Sequence, residues 1–236
     1  MPEKKISGKG RKVKRLFIVM PAYNEEKAIA GVIRGLRHSG YNNIIVVDDG
    51  SRDKTSAIAK KEGVILIRHF INRGLGGALG TGISAALKMG AEIIVTFDSD
   101  GQHDVSDIKK VALPIKRGEA DVAIGSRLVN SKGMPFVRRV GNWGLNFFTY
   151  LLFGVFVTDS QSGLRAFSRN AAEKIEIRTN AMEVSSEIIR EIGDKKLRLK
   201  EVPIKAIYSE YSLQKGQSTV NGFRIMMKLF INWWMR

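Results

Sequence analysis

IIVTFDSDGQ, residues 93–102, sets the expectation for the whole chain. Its first five residues form a near-continuous apolar run, which is typical of a parallel strand covered on both faces. Two aspartates, Asp98 and Asp100, follow at once, at the end of a strand where open α/β sheets bind their ligands. We therefore expect a buried strand that delivers an acid pair to a binding site.

The acid pair has the chemistry of a metal site. On an extended backbone, carboxylates two residues apart point the same way and repel each other unless a cation lies between them. A hard divalent ion, Mg²⁺ or Mn²⁺, fits such oxygen ligands, and the amide of Gln102 would add one more. The alternative is an ordinary polar turn, because Asp, Ser and Gly are frequent in turns.

Length and composition indicate a globular chain without cysteine. The 236 residues suffice for one α/β domain, alone or with an appendage. The sequence contains no cysteine, which excludes disulfides and thiolate metal sites and is compatible with a reducing cytoplasm.

The formal net charge of +16 is concentrated at the two ends of the chain. Residues 1–15 hold seven Lys or Arg and one Glu, which gives a charge of +6. Residues 195–236 hold nine Lys or Arg and two Glu, which gives a charge of +7. Basic ends suit nucleic acid or an anionic membrane. Because no zinc spacing, aromatic RNA-binding motif or helix-turn-helix is apparent, we expect no nucleic acid partner.

Strands and helices are expected to alternate. After a basic, solvated tail (1–15) that does not resemble a signal peptide, strands are predicted at 16–20, 44–47, 64–67, 93–97 and 121–125. Helices are predicted after Asn24 as N-cap and over 54–62, 74–89 and 105–117. This alternation predicts a parallel sheet with right-handed crossovers.

Two features at the strand ends have competing interpretations. GLGGALGTG, residues 74–82, follows the third strand, and close packing of a helix on the sheet explains its glycines better than a phosphate cradle. Arg127 follows the predicted strand that ends at Gly125, where it is either a phosphate ligand or a surface arginine.

Six motifs in order resemble one family. They are PAYNEE from Pro21, VVDDGSRDKT from Val46, DSDGQH from Asp98, GSR from Gly125, TDSQSGLRAFS from Thr158 and EVPI from Glu201. Together they resemble the family 2 glycosyltransferases of GT-A fold, in particular the enzymes similar to dolichyl-phosphate mannose synthase. The resemblance covers residues 16–220 and implies a Rossmann-like, mostly parallel sheet flanked by helices.

The resemblance implies a nucleotide-sugar site. Its nucleotide pocket would be lined by Pro21, Tyr23, Glu25, Val47 and Asp49. Asp49 would contact the base or the ribose.

The same resemblance assigns the catalytic and acceptor groups. The metal would be held by Asp98, Asp100 and Gln102, which would also bind the nucleotide-sugar donor together with Ser99, and Arg127 would contact a phosphate. The acceptor phosphate would meet Arg138, with Asn142 where a serine is common. Lys215 stands where a donor-phosphate arginine is usual.

These groups imply transfer of a hexose from a GDP- or UDP-linked donor to a dolichyl or polyprenyl phosphate. Metal and arginine would stabilise the charge that grows on the leaving diphosphate. A phosphate monoester has a second pKa of about 6, so the acceptor needs no general base. We expect Asp159 to be structural or acceptor-positioning and His103 to be a loop residue. Attack opposite the leaving group predicts inversion.

Two aromatic segments predict a peripheral protein of the cytoplasmic membrane face. Trp143–Val157 is too short to span a bilayer and is either a core helix or a helix on the membrane surface. Residues 221–236 combine aromatic and basic residues typical of an amphipathic interface helix.

Three further expectations complete the prediction. Residues 181–192 read as a helix with Glu183 and Glu187 on a solvated face, and 197–207 as an edge strand because of Pro203. A sugar-phosphate nucleotidyltransferase, or an inactive basic module that binds membrane or nucleic acid, remains an alternative to the glycosyltransferase.

Overall fold

The structure, a computed structural model, describes residues 15–128, 143–144, 146–147, 150–151, 153–180, 183–205 and 207. Its strands are β1 Leu16–Ala22, β2 Ile44–Asp48, β3 Ile65–Arg68, β4 Ile93–Thr96, β5 Val122–Ser126, β6 Arg165–Ser168 and β7 Leu199–Pro203. Its helices are α1 Ile29–His38, α2 Thr55–Lys61, α3 Gly74–Lys88, α4 Asp107–Lys116, α5 Arg169–Lys174 and α6 Val184–Asp194. Residues 143, 144, 146, 147, 150, 151 and 153 are also helical.

All seven strands form one sheet in the order β3-β2-β1-β4-β6-β5-β7. Every pairing is parallel except those of β6, which runs antiparallel between β4 and β5. The predicted α/β class, a mostly parallel sheet flanked by helices, is therefore confirmed. Strand β7 lies at the edge, as Pro203 predicts.

The sheet is covered on both faces, so its central strands are buried throughout. In β1, Ile18 and Met20 pack with α1, α2 and α4 on one face. Phe17 and Val19 pack with α3, α5 and α6 on the other. All four residues of β4 are buried, which is the environment predicted from its continuous apolar run.

The glycines of α3 allow the helix to lie close to its neighbours. A Cβ at Gly82 would overlap the side chain of Val19 and crowd that of Val47, and a Cβ at Gly76 would overlap the carbonyl of Thr179. Close helix packing, rather than a phosphate cradle, thus accounts for these two glycines.

Several local predictions are wrong. Asn24 does not cap α1, which begins at Ile29; Asn24 instead has a φ of 53° and accepts a hydrogen bond from the Arg52 backbone. The sequence analysis missed β6 and α5, which are only four and six residues long. Glu183 and Glu187 do not form a solvated face, since they are 5% and 3% exposed.

No helix within the described part of the chain is long and apolar enough to cross a membrane.

We expect Gly82→Ala to destabilise the protein and Gly31→Ala to stabilise it. The new methyl at position 82 would force Val19 to shift, which costs about 1–3 kcal/mol. A Cβ at Gly31, which is exposed in α1, has no other atom within 4 Å, and replacement of a helical glycine by alanine gains roughly 0.5–1 kcal/mol. Urea unfolding of both variants measures the two changes, and equal effects would contradict the packing argument.

Candidate active site

The carboxyl ends of four strands bring together most of the predicted site residues. Tyr23 and Glu25 follow β1, Asp49 follows β2, Asp98 follows β4 and Arg127 follows β5. These strands all run in the same direction, so their carboxyl ends share one edge of the sheet. That edge is where open α/β sheets place their ligands.

The acid motif occupies a turn rather than the extended backbone assumed in its prediction. β4 ends at Thr96, and the chain turns at Ser99 and Asp100, with Gly101 at a φ of 77°. The Asp100 carboxylate accepts hydrogen bonds from the backbone and side-chain amides of Gln102 at 2.9 and 2.6 Å. The side chains of Asp100 and Gln102 are therefore adjacent and present oxygen atoms from the same turn.

The carboxylate of Asp98 points to a different neighbour. Its Oδ2 lies 3.0 Å from Nε2 of His103, which is 4% exposed and packs edge-on against Phe97 with ring centroids 5.7 Å apart. On another side the carboxylate lies directly against Gly163, where a Cβ would overlap all three of its carboxyl atoms. His103 is thus the partner that orients Asp98, and Gly163 leaves the space in which Asp98 lies.

The pKa values of the two aspartates move in opposite directions. Burial by itself raises the pKa of Asp98, but the hydrogen bond and charge of His103 and the charges of Arg127 and Arg165 bring it below its usual value. Burial, together with the charges of Asp98 and Glu25, raises the pKa of Asp100. The negative potential is therefore concentrated around Asp100.

The donor set around Asp100 fits a hard divalent cation. Asp98, Asp100 and Gln102 offer carboxylate and amide oxygens, the ligands that Mg²⁺ and Mn²⁺ prefer, and they follow one strand within five residues. Among the described residues no group of three or more His, Cys, Asp or Glu is arranged to hold a metal. A cation here would therefore also depend on oxygens from a bound diphosphate or from water.

Arg127 is held by a buried carboxylate. Its Nε and Nη2 donate to Asp159 at 2.8 and 2.9 Å, and its backbone amide donates to the same carboxylate at 3.0 Å. The Asp159 side chain is fully buried, whereas that of Arg127 is 17% exposed. Such a two-bond pair fixes the plane of the guanidinium, which agrees with the structural role expected for Asp159.

Arg165 lies behind this pair and is 1% exposed. Burial lowers its pKa to about 10, against the opposing attraction of Asp98 and Asp159. Its Nη2 donates to the carbonyl of Ser160 at 2.9 Å. Since a pKa of about 10 leaves it charged at neutral pH, Arg165 supplies a permanent positive charge that interacts with both acids.

Two side chains from elsewhere in the fold anchor the loop that carries Asp159. Glu201 of β7 accepts hydrogen bonds from the backbone of Thr158 at 2.8 and 3.0 Å and from its hydroxyl at 2.9 Å. Asn146, in the aromatic segment, donates to the carbonyl of Thr158 and accepts from the backbone and hydroxyl of Ser160 at 2.9 and 2.7 Å. The loop is thereby joined both to the sheet edge and to the aromatic segment.

Asp49 is built into the start of α3. Its carboxylate is 3% exposed and accepts hydrogen bonds from Nδ1 of His69 at 2.7 Å and from the backbone amides of Arg73 and Gly74 at 2.9 and 2.7 Å. His69 Nε2 lies 3.0 Å from the hydroxyl of Thr81. A contact of Asp49 with a nucleotide stays a prediction, and it would have to be made beside these three donors.

The other residues predicted to line the nucleotide pocket have different environments. Val47 is fully buried in the core formed with α3, while Tyr23 is 42% exposed. Ser99 is 5% exposed and donates from its hydroxyl to the carbonyl of Pro21 at 2.8 Å, which joins the ends of β1 and β4. Glu25 is 8% exposed and close enough to raise the pKa of Asp100.

Three predicted site residues, Arg138, Asn142 and Lys215, lie outside the described residues. Their contacts with acceptor and donor phosphates stay predictions.

Sequence reasoning missed the residues that act through their neighbours. His103 was expected to be a loop residue, although its place directly after the acid motif was a signal for contact with Asp98. Gly163 was noticed only as part of the TDSQSGLRAFS motif, and Asn146 carried no signal of its own, because both act through contacts with residues that the fold brings beside them. Glu201 was noticed only as part of the EVPI motif.

A mostly parallel sheet with an acid motif after β4 and an arginine after β5 defines a glycosyltransferase of GT-A fold. Residues 17–176 match the family model described as "Glycosyl transferase family 2". Because this match covers more than half of the chain, the protein belongs to glycosyl transferase family 2, as the six motifs predict.

Two relatives match nearly the whole chain. One is "Uncharacterized protein MJ1222" of Methanocaldococcus jannaschii, 56% identical over 221 residues that cover 92% of this chain and 91% of the relative. The other is the "UDP-N-acetylglucosamine--dolichyl-phosphate N-acetylglucosaminyltransferase" of Methanococcus voltae. It is 43% identical over 240 residues that cover 92% of this chain and 96% of the relative.

Solved structures support the fold. Glucosyl-3-phosphoglycerate synthase from Mycobacterium tuberculosis, in complex with phosphoglyceric acid, superposes with a TM-score of 0.68 at 19% identity, covering 92% of this chain and 80% of that one. The same synthase has been solved with Mn²⁺, UDP-glucose and phosphoglyceric acid. This complex superposes with a TM-score of 0.65 at 18% identity and covers 92% of this chain and 80% of the synthase chain.

We expect Gly163→Ala to impair the site more than the fold. The added methyl would displace the Asp98 carboxylate, and a shift of about 1 Å at a reacting centre is enough to lower activity on the order of 100-fold. Glycosyltransferase activity and the urea midpoint measure the two effects. Gly31→Ala is the matched control, and full activity of Gly163→Ala would contradict the proposed contact.

Proposed function

We propose that the protein transfers a sugar from a UDP-linked donor to a dolichyl or polyprenyl phosphate, with the help of Mg²⁺ or Mn²⁺, at the cytoplasmic face of a membrane. The observation that carries this proposal is the placement of Asp98, Asp100 and Gln102 on the same sheet edge as Arg127, in a chain 43% identical to a dolichyl-phosphate N-acetylglucosaminyltransferase. A UDP-N-acetylhexosamine is accordingly the first donor to test, ahead of the mannose or glucose donors that the motifs suggest.

The charges of the site support each part of the reaction. Asp98, Asp100 and Gln102 would hold the metal, which when bound supplies positive charge to the leaving diphosphate. Arg127, fixed in orientation by Asp159, would add a second positive charge from the β5 side. These residues act on the donor.

The acceptor requires little help from the protein. A lipid phosphate is largely dianionic at neutral pH, so its oxygen attacks without a general base. Asp159 is fully buried and bonded to Arg127, which favours a positioning role over that of a base. Attack on the face opposite the diphosphate inverts the anomeric carbon.

A nucleotidyltransferase and an inactive basic module are less well supported alternatives. A nucleotidyltransferase would need the same metal and nucleotide contacts but no lipid-facing aromatic surface. An inactive module would bind membranes without depending on the acid motif. Transfer of radiolabel from a UDP-sugar to polyprenyl phosphate, with the product's configuration read by NMR, separates the three.

We expect Asp100→Ala to abolish metal-dependent nucleotide binding. Titration calorimetry with UDP and Mn²⁺ should show an affinity loss of more than about tenfold, because the variant removes a metal ligand. Asp194→Ala is the control, since Asp194 is an acid with a 59% exposed side chain at the end of α6. Equal UDP affinity of Asp100→Ala and wild type, with and without Mn²⁺, would count against the metal site.

Exposed aromatic residues support the membrane location. Trp143 and Phe147 are 68% and 56% exposed and stack with ring centroids 6.0 Å apart. Tyr150, Leu151 and Phe156 are 46%, 67% and 70% exposed in the same part of the chain. An apolar surface of this kind, on a chain of net charge +16, suits the interface of an anionic bilayer.

We expect the protein to sediment with anionic vesicles at low salt and to be released by high salt. Replacing Trp143 and Phe147 together by serine should lower vesicle affinity by about tenfold or more, because two large apolar side chains no longer enter the interface. Binding that is insensitive to both salt and the double substitution would contradict this surface.

A further inference from the structure

A second apolar feature lies on the same sheet edge, in the loop that joins β3 to α3. Phe70 is 106% exposed and Ile71 is 71% exposed. Large apolar side chains this open to water are unusual when they are adjacent in sequence and lie beside a ligand-binding edge. The six motifs quoted above do not include this pair.

The backbone of this loop is firmly held, so the exposure of its side chains does not come from a loosely attached segment. Asp49 accepts hydrogen bonds from His69 before the pair and from the amides of Arg73 and Gly74 after it. A Cβ at Gly50 would lie 2.8 Å from the carbonyl carbon of Ile71 and 2.9 Å from the next amide nitrogen. Contacts with Gly50 and Asp49 thus hold the backbone of the loop against the protein, while the side chains of Phe70 and Ile71 are exposed.

The surroundings of the pair are positively charged. Arg52, Lys54, Arg68 and Arg73 are all exposed. The Arg68 side chain is 61% exposed and has one long ion pair, 3.4 Å to Asp48, which is fully buried.

The neighbouring acids are engaged in hydrogen bonds with the backbone. Asp53 and Glu26, the partly exposed acids of this region, accept hydrogen bonds from backbone amides, among them those of Glu26 and Lys54. The outward surface around Phe70 and Ile71 therefore combines an apolar tip with basic side chains. This combination is complementary to anionic lipid headgroups.

Topology places this tip opposite the aromatic segment. β3 is the outermost strand on one side of the sheet. The aromatic segment connects β5 to β6 along the chain, and both of these strands lie on the other side of β4. The end of β3, the end of β5 and the start of β6 all lie at the carboxyl edge, because β6 runs antiparallel. In the strand order, β4, which precedes the acid motif, lies between β3 and the two strands that the aromatic segment joins.

We propose that Phe70 and Ile71, with Arg68 and Arg73 beside them, form a second contact with an anionic membrane surface. The proposal rests on the membrane location of the proposed function and adds a contact that neither the motifs nor the aromatic segment supplies. Phe70 and Ile71 enter the interface, and the arginines lie at the level of the phosphates.

The test is vesicle binding by the full-length protein with Phe70 and Ile71 both replaced by serine. Affinity for phosphatidylglycerol–phosphatidylcholine vesicles should fall about tenfold, because two apolar side chains are lost from the interface. Affinity for UDP with Mn²⁺, measured without vesicles, should stay within about twofold. Met89→Ser is the matched control, since Met89 is 45% exposed at the end of α3, on the opposite edge of the sheet.

Each other outcome overturns the proposal in a recognisable way. Unchanged vesicle affinity of the double variant, with wild-type binding intact, removes the loop contact and leaves the proposed function standing. Absence of wild-type binding to vesicles removes the membrane location itself. A loss of UDP affinity alone assigns the tip to the nucleotide, and conversion of a wild-type dimer to a monomer in sedimentation assigns it to a second copy of the chain.

Discussion

The active-site edge depends on the mutual compensation of four charges withdrawn from water. Asp159 and Arg165 are buried, and Asp98 and Arg127 are partly so. Removing such charges from water is costly, and only close opposite charges with good hydrogen bonds offset the cost. Asp159 meets Arg127 through two side-chain bonds, and Arg165 lies within the field of both acids. The loop from Thr158 to Gly163 is consequently held against the sheet rather than left free.

This compensation leaves Asp100 with a distinct role. The charges that lower the pKa of Asp98 are cations, whereas those around Asp100 include Asp98 and Glu25, which raise its pKa. The edge is therefore polarised, with negative potential at the turn after β4 and a fixed guanidinium after β5. In the proposed reaction, Asp98 and Asp100 would hold the cation and Arg127 would supply positive charge to the donor diphosphate, which fits this distribution.

The sequence was sufficient to predict the strands and helices whose apolar pattern is long or continuous. It was also sufficient to predict the edge of the sheet on which the site lies. It was insufficient for β6, because RAFS is only four residues long and begins with Arg165, a charged residue that the fold buries near Asp98 and Asp159. Glu187 shows the same limit. Its spacing of four residues from Glu183 predicts a solvated helix face. The backbone amides of Arg178 and Thr179 instead donate hydrogen bonds to the Glu187 carboxylate, which allow it to be buried. Contacts made by backbone groups leave no trace in side-chain patterns.

The sheet order also bears on how a domain without a spanning helix in its described part would be oriented at a membrane. A rigid body that touches a surface at one patch can still tilt about that patch. The ends of β3 and β5 are five strand spacings apart, or about 24 Å at roughly 4.8 Å per spacing. The two proposed membrane contacts, one after β3 and one after β5, would restrict tilt along the sheet, because β4 lies between these strands. A phosphate at the headgroup level would then approach the acid motif from a fixed direction, which is the condition for in-line attack on a donor held by that motif.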